Sequence, residues 1–286
     1  MDREKEAEAL NAKSGAMFDR LIPGFVHAER RPAKRAGWLE LTFPCGLSCV
    51  TNSNPVEAEI IYNEISVRRE YLRKGLPLAD SATIVDVGAN TGMFSLYLLR
   101  TLKNPRIFAI EPVPDTFDAL TENMNRYGNG KVMLDNVALG SSEGTTDMVH
   151  YLHLTGNSTA HPEIKVPQRA VLARDYSATE LAMMYESSMI TVPRTTLSAL
   201  IRKNGIGKID LLKIDTEGCE FEILCGIDGD DWPRIAQVAL EVHVAEKNLD
   251  PLRTLLESKG FTVVVDEESR DQFGSVNIVA FREEFP

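Results

Sequence analysis

Cysteine is scarce in this sequence: Cys45, Cys49, Cys219 and Cys225 are the only four in 286 residues. They form no Cys-x-x-Cys pair and have no histidine at zinc-finger spacing, which excludes a disulfide framework or zinc module and leaves reduced, packed thiols. Long apolar runs are absent too. Nothing approaches the ~20 residues that span a bilayer, and residues 2–8 are mostly charged where a signal peptide needs an apolar core. A cytoplasmic location without a membrane partner is expected. Positive charge is in deficit, with 31 Lys and Arg against 42 Asp and Glu and a net charge of -11. A phosphate backbone is held by the opposite surplus, so nucleic acid is not an expected partner. Internal repeats and low-complexity segments are missing as well. What remains is an ordinary globular composition, 43% hydrophobic and 26% charged, with enough chain for one large domain and an appendage.

The chain is organised around Thr83-Ile-Val-Asp-Val-Gly-Ala-Asn-Thr-Gly92. Thr83, Ile84, Val85 and Val87 form a short apolar, mostly β-branched run that predicts a strand covered on both faces, at the centre of a mainly parallel sheet. Asp86 interrupts the run, and a carboxylate there needs a partner. Gly88 and Gly92 give the following turn its backbone freedom, and Met93, Phe94, Leu96, Tyr97 and Leu99 open an amphipathic helix. The dinucleotide fingerprint Gly-x-Gly-x-x-Gly is lacking, because Asn90 replaces its middle glycine and Met93 its last. That disfavours a pyrophosphate on the helix N-terminus, and with it a nicotinamide-dependent oxidoreductase. A second apolar strand over 107–110 ends in Glu111-Pro112, about 20 residues beyond the turn, where an acid suits a ribose with both hydroxyls free. Acids at the ends of two adjacent strands, without a phosphate cradle, suit S-adenosylmethionine, whose amino-acid end is cationic.

From residue 83 strands and helices alternate with short connections: 83–88, 92–103, 107–111, 115–127 and 131–139, then 195–203, 209–214, 235–244 and 249–259. A final pair, 261–266 and 276–281, flanks a turn at 271–274. The pattern predicts an α/β fold, a doubly wound Rossmann-like sheet, mostly parallel and closed by an antiparallel hairpin. Ligands in such sheets bind beyond the carboxyl ends of the strands where the winding reverses. Asp86, Glu111 and Asn136 fall near such ends; Asn136 either bonds an adenine edge or caps a turn.

Two segments lie outside this alternation. Residues 1–75 are read as an N-terminal helix, a small lid hairpin around Pro44-Cys45-Gly46 and a lid helix over 57–74, with 76–286 as the catalytic domain. The first helix leaves open packing on the catalytic domain, a homodimer contact or docking of a carrier. Arg30, Arg31, Lys34 and Arg35 between helix and hairpin read as a solvated linker. Residues 140–190 interrupt the core, and so long a connection is usually functional. It is read as a substrate-recognition insertion with a helical piece over 178–185. Its His150, His153 and His161 lack the accompanying ligands of a metal site.

In order and spacing, Asp86-Val-Gly-Ala-Asn-Thr-Gly92, Glu111-Pro112, Asn136-Val-Ala-Leu139, Ile209-Asp-Leu-Leu-Lys-Ile-Asp-Thr-Glu-Gly-Cys-Glu220 and Leu240-Glu-Val-His243 resemble the FkbM-type family of S-adenosylmethionine-dependent class I methyltransferases. The resemblance runs over residues 54–244. Its family-specific parts are Lys213-Ile-Asp-Thr-Glu-Gly218 and Glu241-Val-His243. The stretch 54–71, with Glu57 and Tyr62-Asn-Glu64, is similar to members found with polyketide and nonribosomal peptide assembly lines. The resemblance implies the class I fold and a cofactor site built from Asp86, Gly88, Ala89, Asn90, Gly92, Glu111, Pro112, Asn136, Val137, Asp215 and Glu217. It also implies the acceptor: a hydroxyl on a small secondary metabolite, a polyketide, nonribosomal peptide or sugar-bearing intermediate, free or carrier-bound.

An aliphatic hydroxyl attacks poorly without a base. His243 is the expected one, because its ordinary pKa lies near working pH, and Asp215 and Glu241 complete the catalytic set. Glu241 orients His243 or balances Lys213, which sits inside an apolar strand and needs a carboxylate neighbour. Asp215 and Glu217 hold the methionine amine or face the acceptor. An oxygen set of Asp215, Glu217 and Glu241 would suit Mg2+, but no metal is assigned. N- or C-methylation in the same fold and a non-catalytic carrier-docking module are the alternative readings.

Overall fold

The computed structural model describes residues 2–72, 74–243 and 245–283, without the side chains of residues 2–4, 245 and 246. In chain order the helix α1 (Asp2–Leu21) precedes a small antiparallel sheet of β1 (Glu29–Pro32), β2 (Leu39–Thr42) and β3 (Ser48–Thr51). Next come α2 (Pro55–Tyr62) and a π-helical turn, Asn63–Val67. The core then runs β4 (Thr83–Val87), α3 (Met93–Thr101), β5 (Arg106–Ile110), α4 (Pro114–Tyr127), β6 (Val132–Asp135) and β7 (Ala138–Leu139). The insertion holds β8 (Gly144–Tyr151), α5 (Lys165–Leu172), α6 (Ala178–Met184) and β9 (Ser187–Thr195). The second half of the core is α7 (Leu197–Asn204), β10 (Leu211–Ile214), α8 (Glu220–Cys225), β11 (Gln237–Val242), α9 (Ala245–Ser258), β12 (Thr262–Asp266) and β13 (Val276–Phe281).

Seven strands form the main sheet in the order β12-β13-β11-β10-β4-β5-β6. β6, β5, β4, β10 and β11 are parallel neighbours, and β13 runs antiparallel to β11 and β12. The chain leaves β4 toward β5 and β6, then crosses back to place β10 on the other side of β4. The winding therefore reverses between β4 and β10, which puts the crevice of such a sheet at their carboxyl ends. Both faces are buried, as the uninterrupted apolar strands require. Val85, Val87, Leu212, Ile214, Val238 and Leu240 pack on one side. Ile84, Ile107, Ala109 and Leu211 pack on the other with residues of α3 and the small sheet. Strand alternation sends Asp86 to the same side as Ile84, toward α3. Among the described residues no helix is long and apolar enough to cross a membrane.

The N-terminal 75 residues depart from the sequence reading in three ways. The basic cluster is not a free linker: Arg30 lies on strand β1 and its Nη2 donates to both oxygens of the fully buried Glu59 (2.9 Å each), while Arg35 pairs with Asp118 at 2.7 Å. A buried carboxylate demands such a partner. The hairpin is no lid, since Asn123 of α4 bonds both Val50 N (2.8 Å) and Val50 O (2.9 Å) and holds it against the back of the core. The expected helix over 57–74 ends as an α-helix at Tyr62, because the buried Asn63 amide donates to Glu59 O (2.7 Å) and Val26 O (2.9 Å) and the backbone widens into the π-turn.

Helix α1 takes the first of its three expected roles. Leu10 and Met17 pack with Tyr151, Leu172, Tyr176 and Met184 of the insertion, and Lys13 pairs with Glu180 at 2.8 Å. The insertion itself is more regular than its sequence suggested. β8 and β9 pair antiparallel along their whole lengths, and β7 pairs parallel to β9. β9 is mostly exposed, so it carries little of the apolar alternation that announces a strand. Val244, assigned from sequence to the end of a core strand, lies outside the described residues.

Candidate active site

The turn after β4 is shaped by what it must approach. Gly88 has φ 71°, and a Cβ there would lie 1.8 Å from the Asp215 carbonyl oxygen at the end of β10. Only glycine permits that contact. Asn90 also adopts a left-handed φ of 51°, and its N–H donates to Glu111 Oε2 at 3.0 Å, while Val113 N donates to Glu111 Oε1 at 2.9 Å. Burial pushes the Glu111 carboxyl up to about 7, against these two bonds. The groups presented at the turn are thus an amide and a carboxylate rather than a phosphate cradle.

Beneath the turn, Lys213 Nζ donates to Gly88 O (2.8 Å) and faces Asp86 Oδ1 (3.2 Å) and Asp215 Oδ2 (3.5 Å). Burial opposes the Lys213 charge, but Asp86 and Asp215 outweigh it and raise its pKa. Ser95 Oγ donates to Asp86 Oδ2 at 2.9 Å. The partner of Lys213 is therefore Asp86 with Asp215, and not Glu241. Tyr71 OH donates to Asp215 Oδ2 at 2.9 Å and fixes that carboxylate from above.

His243 follows β11 and stands between carboxylates. Its Nε2 is 2.9 Å from Glu217 Oε2 and 3.8 Å from Glu241 Oε1, and its Nδ1 is 3.1 Å from Glu220 Oε1. Burial favours a neutral ring, but Glu217, Glu241 and Glu220 together hold the His243 pKa well above its ordinary value. Each ring nitrogen faces a carboxylate oxygen, which favours the protonated ring. The expected base, His243, thus stands in a carboxylate clamp that opposes loss of its proton. Glu241 is the group nearby with a pKa at working pH. Burial pushes it up to about 7, helped by Asp215 and Glu217 and opposed by His243. Glu217 goes the other way, down to about 2, because His243 and Lys165 outweigh the cost of its burial.

These groups open on one cavity of about 550 Å³. Gly88, Ala89, Asn90, Glu111, Pro112, Val137, Asp215, Glu217, Glu241 and His243 all line it. Asp86, Gly92 and Asn136, also expected to touch the cofactor, do not line it. Asp86 is spent on Lys213 and Ser95, Gly92 caps α3, and the Asn136 amide donates to Glu111 O (2.8 Å) and Pro112 O (3.1 Å), tying the turn instead of reading a base. Much of the remaining wall is apolar and comes from α1, α2 and the insertion, including Met17, Phe18, Ile60, Leu172, Tyr176 and Met184, while Glu64, Arg68 and Asp271 add charge.

Residues 86–263 match the family described as the methyltransferase FkbM domain. The chain belongs to the FkbM methyltransferase family. With membership comes the family's cofactor, S-adenosylmethionine, and the amide and carboxylate at the turn fit a nucleoside without a pyrophosphate. The 31-O-demethyl-FK506 methyltransferase FkbM of Streptomyces tacrolimicus is 35% identical over 80% of this chain and 90% of its own length. The AMB antimetabolite synthetase AmbE of Pseudomonas aeruginosa is 30% identical over 92% of this chain, which spans 13% of that protein. The crystal structure of a methyltransferase FkbM from Methylobacillus flagellatus KT superposes with a TM-score of 0.51 at 16% identity, covering 74% of this chain and 47% of that one, and shows the shared fold.

Among the described residues of this FkbM chain two trios bring ligand-type atoms within 4.8 Å of one another: Asp215, Glu241 and His243, and His161, Cys219 and Glu222. In the first trio His243 is already held by Glu217 and Glu220, and in the second burial pushes the Cys219 thiol up to about 12. The insertion histidines also do not converge: His150 is buried against Ser158, His153 is 3.4 Å from Glu186, and His161 faces Glu163 and Glu222. Sequence reasoning missed Tyr71 and Lys165. Lys165 of α5 is buried and ion-paired with Glu217, so the insertion reaches the loop after β10. A lysine at the first position of a short helix carries no signal of that role.

Proposed function

We propose that this chain is an S-adenosylmethionine-dependent O-methyltransferase acting on a hydroxyl of a small secondary metabolite. S-adenosylmethionine supplies the methyl group on a sulfonium that is already a good leaving group. The protein has to orient the acceptor, exclude water and take up a proton. Glu241 is the observation that carries the reading: a carboxyl pushed up to about 7, lining the cavity 3.8 Å from the His243 cation. In its ionised form it accepts the hydroxyl proton, and His243, clamped by Glu217 and Glu220, holds the neighbouring negative charge in place. Asp215, fixed by Tyr71 and Lys213, faces the same space. Glu111 offers the remaining lone pairs of its carboxylate to ribose hydroxyls.

The apolar wall from α1, α2 and the insertion suits an acceptor with a lipophilic body. The relative named for 31-O-demethyl-FK506 supports an oxygen acceptor on such a body, and the match to AmbE, which this chain spans as a small part, supports an acceptor delivered on a carrier. The reaction is assigned to the cytoplasm. The test is incubation of the protein with methyl-labelled cofactor and hydroxylated metabolite extracts. Products gaining one methylene with the label on oxygen are expected, and a label found on nitrogen or carbon would replace this reading with the corresponding transferase.

A further inference from the structure

Glu57 is buried, yet it belongs neither to the sheet nor to the catalytic carboxylates. It stands in the first turn of α2, and its donors come from two places about a hundred residues apart. Ser53 Oγ donates to Glu57 Oε2, Thr155 Oγ1 approaches the same oxygen at 3.4 Å, and Gly156 N donates to Glu57 Oε1 at 3.1 Å. Two further bonds run alongside: Thr155 N donates to Ser53 Oγ (3.3 Å) and Asn54 N to His153 O (3.3 Å). The segment ahead of the core is thus stitched to the 3-10 turn Thr155–Asn157 of the insertion through one carboxylate.

That turn lies against the cofactor turn. A Cβ on Gly156 would stand 3.3 Å from both Asn90 Nδ2 and Glu57 Oε1, so the backbone of 156 is wedged between the Glu57 carboxylate and the Asn90 amide. Glu57, Asn90, Thr155, Gly156 and Asn157 all line the one cavity. No bond within the Rossmann-like core makes this closure. Among the described residues it is formed by the segment 53–57 and the insertion, and Glu57 is the group that both share.

We propose that Glu57 is a positioning residue for cofactor capture, fastening the Thr155–Asn157 turn onto Asn90 so that the N-terminal segment and the insertion together roof the cofactor turn. The proposal rests on the reading that the Asn90–Glu111 side of the cavity takes S-adenosylmethionine. A buried carboxylate accepting three bonds sets a roof position more firmly than any of the donors alone, and a roof so held slows the escape of what lies beneath it.

S-adenosylhomocysteine is the probe, with the full chain, calorimetry for affinity and stopped-flow competition for the dissociation rate. Binding by the wild type is the first readout, and its absence would overturn the cofactor reading itself. Given binding, Glu57→Ala is expected to weaken affinity by roughly 10-fold or more, mainly through faster dissociation. Glu57→Gln, which keeps the shape and an acceptor for Gly156 N, is expected to restore affinity to within about threefold of wild type. A folded Glu57→Ala protein with wild-type affinity and dissociation rate overturns the proposal. Should Glu57→Ala fail to fold, Gly156→Val decides: its side chain crowds Asn90 Nδ2 and Glu57 Oε1, each 3.3 Å from its Cβ, so faster dissociation supports the clasp and an unchanged rate overturns it. A purely structural Glu57 would lower the melting temperature in Glu57→Ala while leaving the dissociation rate where it was.

Discussion

Lys213 and Asp86 are register partners on adjacent parallel strands, and Lys213 Nζ lies 3.2 Å from Asp86 Oδ1 with the two side chains 3% and 0% exposed. The pair sits directly below the cofactor turn, whose Gly88 carbonyl also accepts from Lys213. Removing one partner of such a pair leaves an uncompensated buried charge. Lys213→Met is therefore expected to cost ~3 to 5 kcal/mol, and Lys213→Met combined with Asp86→Leu considerably less than the sum of the two single changes. Urea unfolding of the four proteins measures this. Strictly additive losses would show that the two groups do not interact.

Glu217 carries a pH signature. His243 and Lys165 outweigh its burial and bring its pKa from 4.5 down to about 2. A carboxylate depressed in the folded state contributes stability that is present above its unfolded pKa and lost as pH falls through the folded one. At ~1.4 kcal/mol per pH unit the contribution is about 3 kcal/mol, lost between roughly pH 4.5 and 2. Thermal melts across that window should fall more steeply for wild type than for Glu217→Gln. Parallel curves would remove Glu217 from the account of acid unfolding.

Much of this was readable in the residues themselves. The β-branched run before Gly88, the acid at 111 and the alternation that follows each state a local requirement, and the sheet meets them where expected. The pairing of Lys213 was only half legible: its burial implied a carboxylate, but choosing Asp86 over Glu241 required knowing that β10 lies beside β4. Asn136 and Asn63 illustrate another limit, since an amide that ties carbonyls of a turn looks in sequence like one that reads a ligand. His243 was legible as a site residue and not as one clamped between carboxylates, because Glu217 and Glu220 approach from the loop and helix after a different strand. Lys165 and Thr155 act across an insertion whose strands show little alternation, so nothing local announced them.

Glu111→Ala tests the ribose side of the cavity. The carboxylate accepts from Asn90 N and Val113 N and lines the cavity. A charged acceptor is worth ~1.5 to 3 kcal/mol per bond, so S-adenosylhomocysteine affinity should fall by roughly 10 to 150-fold while circular dichroism stays unchanged. NAD should bind more weakly than S-adenosylhomocysteine to the wild type. Calorimetry giving equal affinity for wild type and Glu111→Ala would move the ribose elsewhere.

The proton acceptor separates Glu241 from His243. If Glu241 takes the proton, Glu241→Gln should lower turnover by ~100-fold or more with S-adenosylhomocysteine affinity nearly intact, because the change is isosteric and leaves the turn at 88–92 untouched. The acceptor form is the ionised one, so kcat/KM should be lost as pH falls through about 7, the value to which burial pushes this carboxyl. His243→Ala should behave differently. It removes the cation that Glu217 and Glu220 share at 2.9 and 3.1 Å, so those carboxylates lose their common partner. Stability and turnover should then fall together, and the acid limb of the rate profile should move to higher pH as Glu241 loses a neighbouring positive charge. A Glu241→Gln enzyme that turns over like wild type, alongside a folded and inactive His243→Ala, would return the base to His243.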